Sequence, residues 1–91
     1  MPEPLSDEEI NERLPPRWER EGDEIVREFE FEDYLVGVSF AVEVAELAEE
    51  EFHHPQINID YEAVTVRFTT HEVDGISDRD MELADLVNDL A

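Results

Sequence analysis

Three histidines are the residues of this chain best suited to chemistry, and all of them lie between positions 53 and 71. His53 and His54 form a pair directly before a proline, and His71 is predicted to lie at the end of the last strand. An imidazole has an unperturbed pKa of about 6.5, so it can donate and accept protons near neutral pH. The cluster therefore predicts acid/base catalysis.

Two other interpretations of the histidines stay open from residue types alone. Adjacent histidines at the end of a predicted helix can instead cap its free carbonyls. The three imidazoles, beside Glu49 and Asp80, also have the ligand types of a zinc or iron site, although no helical His-x-x-x-His spacing is present. Asp80 has a structural interpretation of its own, because it lies three residues after Ser77 and can cap a helix there.

The elements that must position these residues are predicted from hydrophobic spacing and capping signals. The pattern predicts a helix from Ser6, hairpin strands over 18–21 and 24–31, a helix over 34–51, strands over 57–61 and 64–71, and a helix after Ser77. This is one α+β domain over residues 1–91 with the order α-β-β-α-β-β-α. We expect a four-stranded antiparallel sheet with three helices on one face.

The long predicted helix from Tyr34 to about Glu51 carries apolar residues on more than one face. A helix of this kind in so small a domain has a second surface to cover. We therefore expect a homodimer or homotetramer.

Charge excludes several classes of partner. The chain of 91 residues has 27 acidic residues against six basic ones, all arginine, and a net charge of −21. Such a chain is repelled by nucleic acid and by anionic membrane surfaces. High salt screens this self-repulsion, so the composition favours a protein that works in concentrated salt.

Cysteine is absent, which removes disulfides, thiolate nucleophiles and zinc-thiolate sites. The opening Met-Pro-Glu-Pro lacks the pattern of a secretion signal, and no apolar run approaches the length of a membrane span. We expect a cytoplasmic protein.

The spacing of the singled-out residues resembles the signature of the pterin-4a-carbinolamine dehydratases. The positions that carry the resemblance are Glu49, His53-His54-Pro55, Tyr61, His71 and Asp80. The Thr69-Thr70-His71 run, the Gly75-Ile76-Ser77 turn and the opening Leu5-Ser6 helix extend it over nearly the whole chain.

The resemblance implies a lyase, 4a-hydroxytetrahydrobiopterin dehydratase, that converts 4a-hydroxytetrahydropterin to quinonoid dihydropterin and water in pterin cofactor recycling. It implies that the catalytic residues are His53, His71 and His54, with His53 and His71 as the acid/base pair, and that Asp80 orients a histidine. The implied substrate-binding residues are His54, Pro55, Thr69, Thr70, Asp80 and Glu49. The implied reaction needs no cofactor and no metal.

Two functions of other classes remain as alternatives. A member of the family also serves as a dimerisation partner of a transcription factor, so a non-catalytic interaction module is one of them. A pterin-binding accessory protein is the other. The presence of all three histidines favours the enzyme.

Overall fold

The computed structural model describes residues 3–91. Its elements are α1 (Asp7–Arg13), β1 (Glu19–Glu21), β2 (Glu24–Glu30), α2 (Tyr34–Glu51), β3 (Gln56–Ile59), β4 (Ala63–Phe68) and α3 (Asp78–Leu90), with a 3-10 turn at His71–Val73. This order confirms the α-β-β-α-β-β-α prediction. Met1 and Pro2, where the sequence argument about a secretion signal begins, lie outside the described residues.

The four strands form one antiparallel sheet in the order β1-β2-β4-β3. Directly opposed residues share a face, so the pairs Ile25 with Phe68 and Phe29 with Val64 put four apolar side chains on one side. All four are at most 4% exposed. The alternation in the sequence predicted this apolar face.

The three helices pack against that apolar face. A single core cluster joins the face to Ile10 of α1, Phe40, Ala41 and Val44 of α2, and Met81, Leu83, Ala84 and Val87 of α3. Val26, which points to the other side of the sheet, is not part of this cluster. The helices therefore lie together on one face, as the sequence predicted.

The helix starts follow the predicted capping signals. Ser6 and Glu9 form a reciprocal capping box at α1, with hydrogen bonds of 3.0 and 3.2 Å. The carboxylate of Asp33 accepts from the amide of Leu35 at 2.9 Å and caps α2. Each contact satisfies amide donors that the first helical turn leaves without partners.

One local prediction is wrong: His71 does not end a strand. β4 stops at Phe68, and the backbone amide of Thr70 then donates to the carbonyl of Gly75 at 2.8 Å. This bridge closes a tight loop in which His71 opens the 3-10 turn and Asp74 adopts a left-handed conformation, with φ of 51°. His71 is consequently held on a loop beyond the sheet.

Helix α2 keeps part of its apolar surface in solvent. Its buried side includes Phe40 and Val44, but Leu35 remains 70% exposed and Val42 53% exposed. Among residues 3–91, no helix is both long and apolar enough to cross a membrane.

Candidate active site

The turn that ends α2 sends two neighbouring histidines in different directions. Phe52 closes the helix with a left-handed φ of 52°, and the amide of His53 reaches back to the carbonyl of Ala48 at 3.1 Å. After this reversal the side chain of His53 is only 10% exposed, whereas that of His54 is 61% exposed. The two imidazoles therefore face different surroundings.

His53 is held by Asp80 and Phe68. Its Nε2 lies 2.5 Å from Oδ1 of Asp80, and its ring is nearly parallel to that of Phe68, with an angle of 7° and centroids 5.9 Å apart. The contact with Asp80 becomes an ion pair when the imidazole is protonated. Ring stacking and this contact together fix the orientation of His53.

Asp80 is fully buried, and both of its carboxylate oxygens have partners. While Oδ1 contacts His53, Oδ2 accepts from the hydroxyl of Thr70 at 2.8 Å and from the amide of Ser77 at 2.9 Å. Thr70 has one hydroxyl proton, so the 2.7 Å contact between the Thr70 and Ser77 hydroxyls is donated by Ser77. Asp80 thus caps α3 and contacts a histidine at the same time.

His54 pairs with Glu49 on the surface of α2. Nε2 of His54 lies 2.5 Å from Oε2 of Glu49, and the glutamate side chain is 75% exposed. An exposed pair of this kind contributes little to stability. It does restrict where the His54 ring points.

His54 and His71 line the same cleft, of about 290 Å³, which we call the His54/His71 cleft. Its lining residues are Glu24, His54, Pro55, Gln56, Arg67, Thr69 and His71. The side chain of Thr69 is oriented here by a 2.6 Å hydrogen bond from its hydroxyl to the carbonyl of Asp23.

His53 lines a second cleft, of about 300 Å³, which we call the His53 cleft. Its lining residues are Glu3, Phe52, His53, Thr70, Glu72, Ser77, Asp78 and Arg79. Consecutive residues line the two clefts: His53 and Thr70 line the His53 cleft, and His54 and Thr69 line the His54/His71 cleft. The fold thus brings His54 and His71 into one cleft and places His53 in the other.

Tyr61, which belongs to the spacing pattern, lines neither of these two clefts. It lies in the connection between β3 and β4, is 76% exposed, and stacks on Tyr34 at the start of α2 with centroids 6.5 Å apart. Tyr61 is therefore a surface residue outside the two clefts.

Two charged residues of the His54/His71 cleft were missed by the sequence argument for the site. Arg67 lies 2.8 Å from Glu21 and 3.5 Å from Glu24, and the hydrogen bond that Arg67 donates to Glu21 raises the pKa of Arg67. Oε2 of Glu24 is buried and has no hydrogen-bond partner within the described residues. Arg67 and Thr69 are two residues apart in the predicted strand, so their side chains point to the same face of the sheet, and this spacing could have indicated Arg67 as a cleft residue. No sequence pattern singles out Glu24.

The acidic residues near the histidines form pairs, not a ligand cluster. Within residues 3–91, no group of three or more His, Asp or Glu side chains is placed to hold a metal ion. His53 contacts Asp80 and His54 contacts Glu49.

The fold and its two clefts define a small α+β protein with three histidines lining the clefts and no cysteine. More particularly, the chain belongs to the pterin 4 alpha carbinolamine dehydratase family, whose family model matches residues 3–90. The sequence resemblance to this family is thereby confirmed.

A relative from the halophile Natronomonas pharaonis is 52% identical over 91 residues, which cover 100% of this chain and 99% of the relative. Its provisional name is pterin-4-alpha-carbinolamine dehydratase. The chain is therefore similar over its full length to a protein of a salt-loving organism.

Two solved structures share the fold. The transcriptional coactivator/pterin dehydratase of Brucella melitensis is 30% identical with a TM-score of 0.90, covering 97% of this chain and 98% of its own. A pterin dehydratase-like RuBisCO assembly factor of the alpha-carboxysome is 25% identical with a TM-score of 0.67, covering 82% and 87%. The fold thus carries more than one described role among similar proteins.

Proposed function

We propose that this protein catalyses the dehydration of 4a-hydroxytetrahydropterin to quinonoid dihydropterin and water, in the recycling of a pterin cofactor. The observation that carries the proposal is that all three histidines line clefts near the ends of α2 and β4, His53 in one cleft and His54 with His71 in the other. Membership of the dehydratase family supports the same assignment.

The reaction is an elimination that needs only proton transfer. The bond between C4a and its hydroxyl oxygen breaks, and that oxygen leaves as water after taking a proton from a general acid. N5 gives its proton to a general base, and its electron pair forms the C4a=N5 double bond. No electrons are exchanged with an outside partner, so acid/base groups are sufficient, and each contributes about 10²–10⁴-fold.

His53 and His71 are the acid/base pair in this proposal, with His54 as a substrate contact. Asp80 keeps the His53 ring in one orientation, as a catalytic imidazole requires. His71 is exposed within its cleft, where a substrate can reach it. A pterin bound across the boundary between the clefts would contact both rings.

The walls of the clefts supply the remaining contacts. The proposed binding position is bordered by Pro55, Thr69 and Thr70. Asp80 contacts the His53 ring and Glu49 contacts the His54 ring, which orients both rings. Because the hydroxyl protons of both threonines are bonded inside the protein, we propose that they accept hydrogen bonds from the pterin or offer backbone groups.

Glu24 is a further acceptor at the same place, where its Oε2 lies 3.5 Å from Arg67. Its buried Oε2 makes no hydrogen bond within the described residues. A pterin carries N–H donors on its aminopyrimidine edge, and such donors would satisfy this oxygen. We include Glu24 among the proposed substrate contacts.

The working assembly in this proposal is a homodimer or homotetramer joined through α2. Leu35, Val38, Val42 and Ala45 follow one another at helical spacing along the side of α2 away from the core. A stripe of this spacing packs well against a copy of itself. Light scattering should give a mass of at least two chains, and V42E should lower it; a monomeric wild-type protein would contradict this part.

The proposed setting is a cytoplasm rich in salt. The net charge of −21 repels itself in dilute solution and is screened in molar salt. Similarity to a protein from a halophile supports this setting.

A non-catalytic role is the second candidate, because similar folds carry coactivator and assembly-factor names. It takes two forms: a protein-interaction module, and an accessory protein that binds pterin without converting it. A stopped assay of carbinolamine breakdown in molar KCl separates these from the enzyme. We expect breakdown faster than the spontaneous reaction, and a rate equal to the spontaneous one would overturn the proposal.

A further inference from the structure

Within residues 3–91, three of the six arginines have no carboxylate partner, although acidic residues outnumber arginines by more than four to one. The engaged arginines are Arg13 with Asp78, Arg20 with Asp7, Arg67 with Glu21 and Glu24, and Arg79 with the carbonyl of Glu51. Within residues 3–91, Arg17 and Arg27 make no ion pair with a carboxylate, and both line one cavity of about 410 Å³. Their charges are available to a ligand.

Arg27 is held in place by neutral groups. One of its terminal nitrogens donates to Oδ1 of Asn88 at 2.6 Å, and its guanidinium carbon lies 4.1 Å from the centre of the Phe29 ring. Burial, and then the charge of Arg17, lower the pKa of Arg27. Its other N–H groups keep their capacity to donate, and an anion would relieve the repulsion between the two cations.

Arg17 occupies a backbone position that suits glycine. The amide of Trp18 donates to the carbonyl of Pro15 at 3.1 Å, which closes a turn with Arg17 third in it. The φ of Arg17 is +71°, in the left-handed region where an L side chain is strained. Strain of this kind at a charged residue points to a function for its side chain.

Asn88 ties both arginine-bearing segments together. Its Oδ1 accepts from the indole of Trp18 at 2.8 Å as well as from Arg27, and its amide donates to the carbonyl of Pro16 at 3.1 Å. The turn that presents Arg17 and the strand that presents Arg27 are therefore fixed to the same residue of α3. The guanidinium of Arg27 and the backbone at Arg17 are therefore both fixed before an anion binds.

The free edge of β2 adds backbone donors to the cavity. β1 pairs only with residues 24–26, and the amide of Phe31 donates towards β4, to the carbonyl of Glu62 at 2.8 Å. Because successive backbone amides of a strand point to opposite edges, the amides of Glu28 and Glu30 point towards the cavity. The carboxylates of these two glutamates also border the cavity, so we expect modest affinity that benefits from screening salt.

We propose that Arg17 and Arg27 form a binding site for a small oxyanion, a phosphate or a carboxylate group, at the free edge of β2. The fork of donors on each guanidinium matches the oxygens of such a group. This site lies at the opposite end of β2 from Glu24, which lines the His54/His71 cleft. Arg27 is three residues along β2 from Glu24, about 10 Å at about 3.3 Å per residue, and odd and even residues of a strand point to opposite faces, so the oxyanion site is separate from the histidines.

Trp18 gives a direct readout, because it is the only tryptophan and shares its acceptor with Arg27. We would titrate the protein with potassium phosphate, and separately with potassium acetate, at an ionic strength held constant with KCl. A saturable change in Trp18 fluorescence is expected with at least one of them, and the salt that produces it identifies the anion class.

Matched variants decide whether the arginines are responsible. R17Q should weaken binding by roughly tenfold or more, the effect of losing a charge-assisted hydrogen bond. R20Q removes the same charge from the Asp7 pair and should bind as the wild type does. R17G should lose binding while melting no lower than the wild type, because glycine relaxes the turn. Superposable titrations of the wild type, R17Q and R20Q, or no saturable change, would overturn the proposal.

Discussion

Asp80 lies 2.5 Å from the Nε2 of His53 through one carboxylate oxygen and caps α3 through the other. One fully buried side chain therefore links the end of α2, the loop after β4 and the start of α3. The orientation of the histidine and the stability of the fold depend on the same group.

Replacing Asp80 should damage stability and turnover together. The D80N side chain has the same shape but no negative charge with which to accept hydrogen bonds from His53, Thr70 and Ser77. We expect this change to lower the free energy of unfolding by about 1–3 kcal/mol, because the network is buried. For a domain of this size each kcal/mol lowers Tm by roughly 4–8 °C. Thermal melting in molar KCl should show the fall, with D78N as the control because Asp78 is exposed. Equal Tm values for D80N and D78N would refute this role of Asp80.

His54 should contribute to binding more than to chemistry. H54A is expected to raise KM by a larger factor than it lowers kcat, because in the proposed mechanism this exposed ring, paired with Glu49, contacts substrate without moving a proton. E49Q should produce a smaller change of the same kind. Steady-state kinetics measure both constants, and a fall in kcat with unchanged KM for H54A would place it in the chemical step.

Salt should stabilise this protein. In about 0.01 M salt the screening length is about 30 Å, and the 21 net negative charges repel one another across the domain. At about 1 M the length falls to about 3 Å, so Tm should rise steadily with KCl. A Tm that is unchanged or higher in dilute buffer would contradict the argument from charge.

Activity should not depend on a metal. The proposed elimination needs only proton transfer, and His53 and His54 pair with separate carboxylates. Protein treated with a chelator and then assayed in molar KCl should keep its turnover. Stoichiometric zinc whose removal abolishes activity would contradict the proposal.

The sequence predicted the parts of the fold that depend on local chemistry. Ser6 with Glu9, and Ser77 with Asp80, are capping signals within four residues, and alternation assigned Val64, Val66 and Phe68 to the buried face. All of these are present in the structure. Such patterns can be read directly because both partners lie close together in the chain.

The division of the histidines between two clefts could not be predicted in the same way. It depends on the left-handed Phe52 and on the loop that the Thr70–Gly75 bridge closes. Phe52 has no sequence signal for a left-handed conformation, since glycine and asparagine are the usual residues there. The contact of Asp80 with His53 likewise spans 27 positions, so no local pattern encodes it.

The turnover of H53A/H71A is the most direct test of histidine acid/base dehydration. The stopped assay of carbinolamine breakdown in molar KCl should give reduced turnover for each single variant and a rate near the spontaneous one for the double variant. Each single variant keeps one proton-transferring ring, whereas the double variant retains only binding and orientation. Wild-type turnover from a folded double variant that still binds pterin would show that other residues carry the reaction.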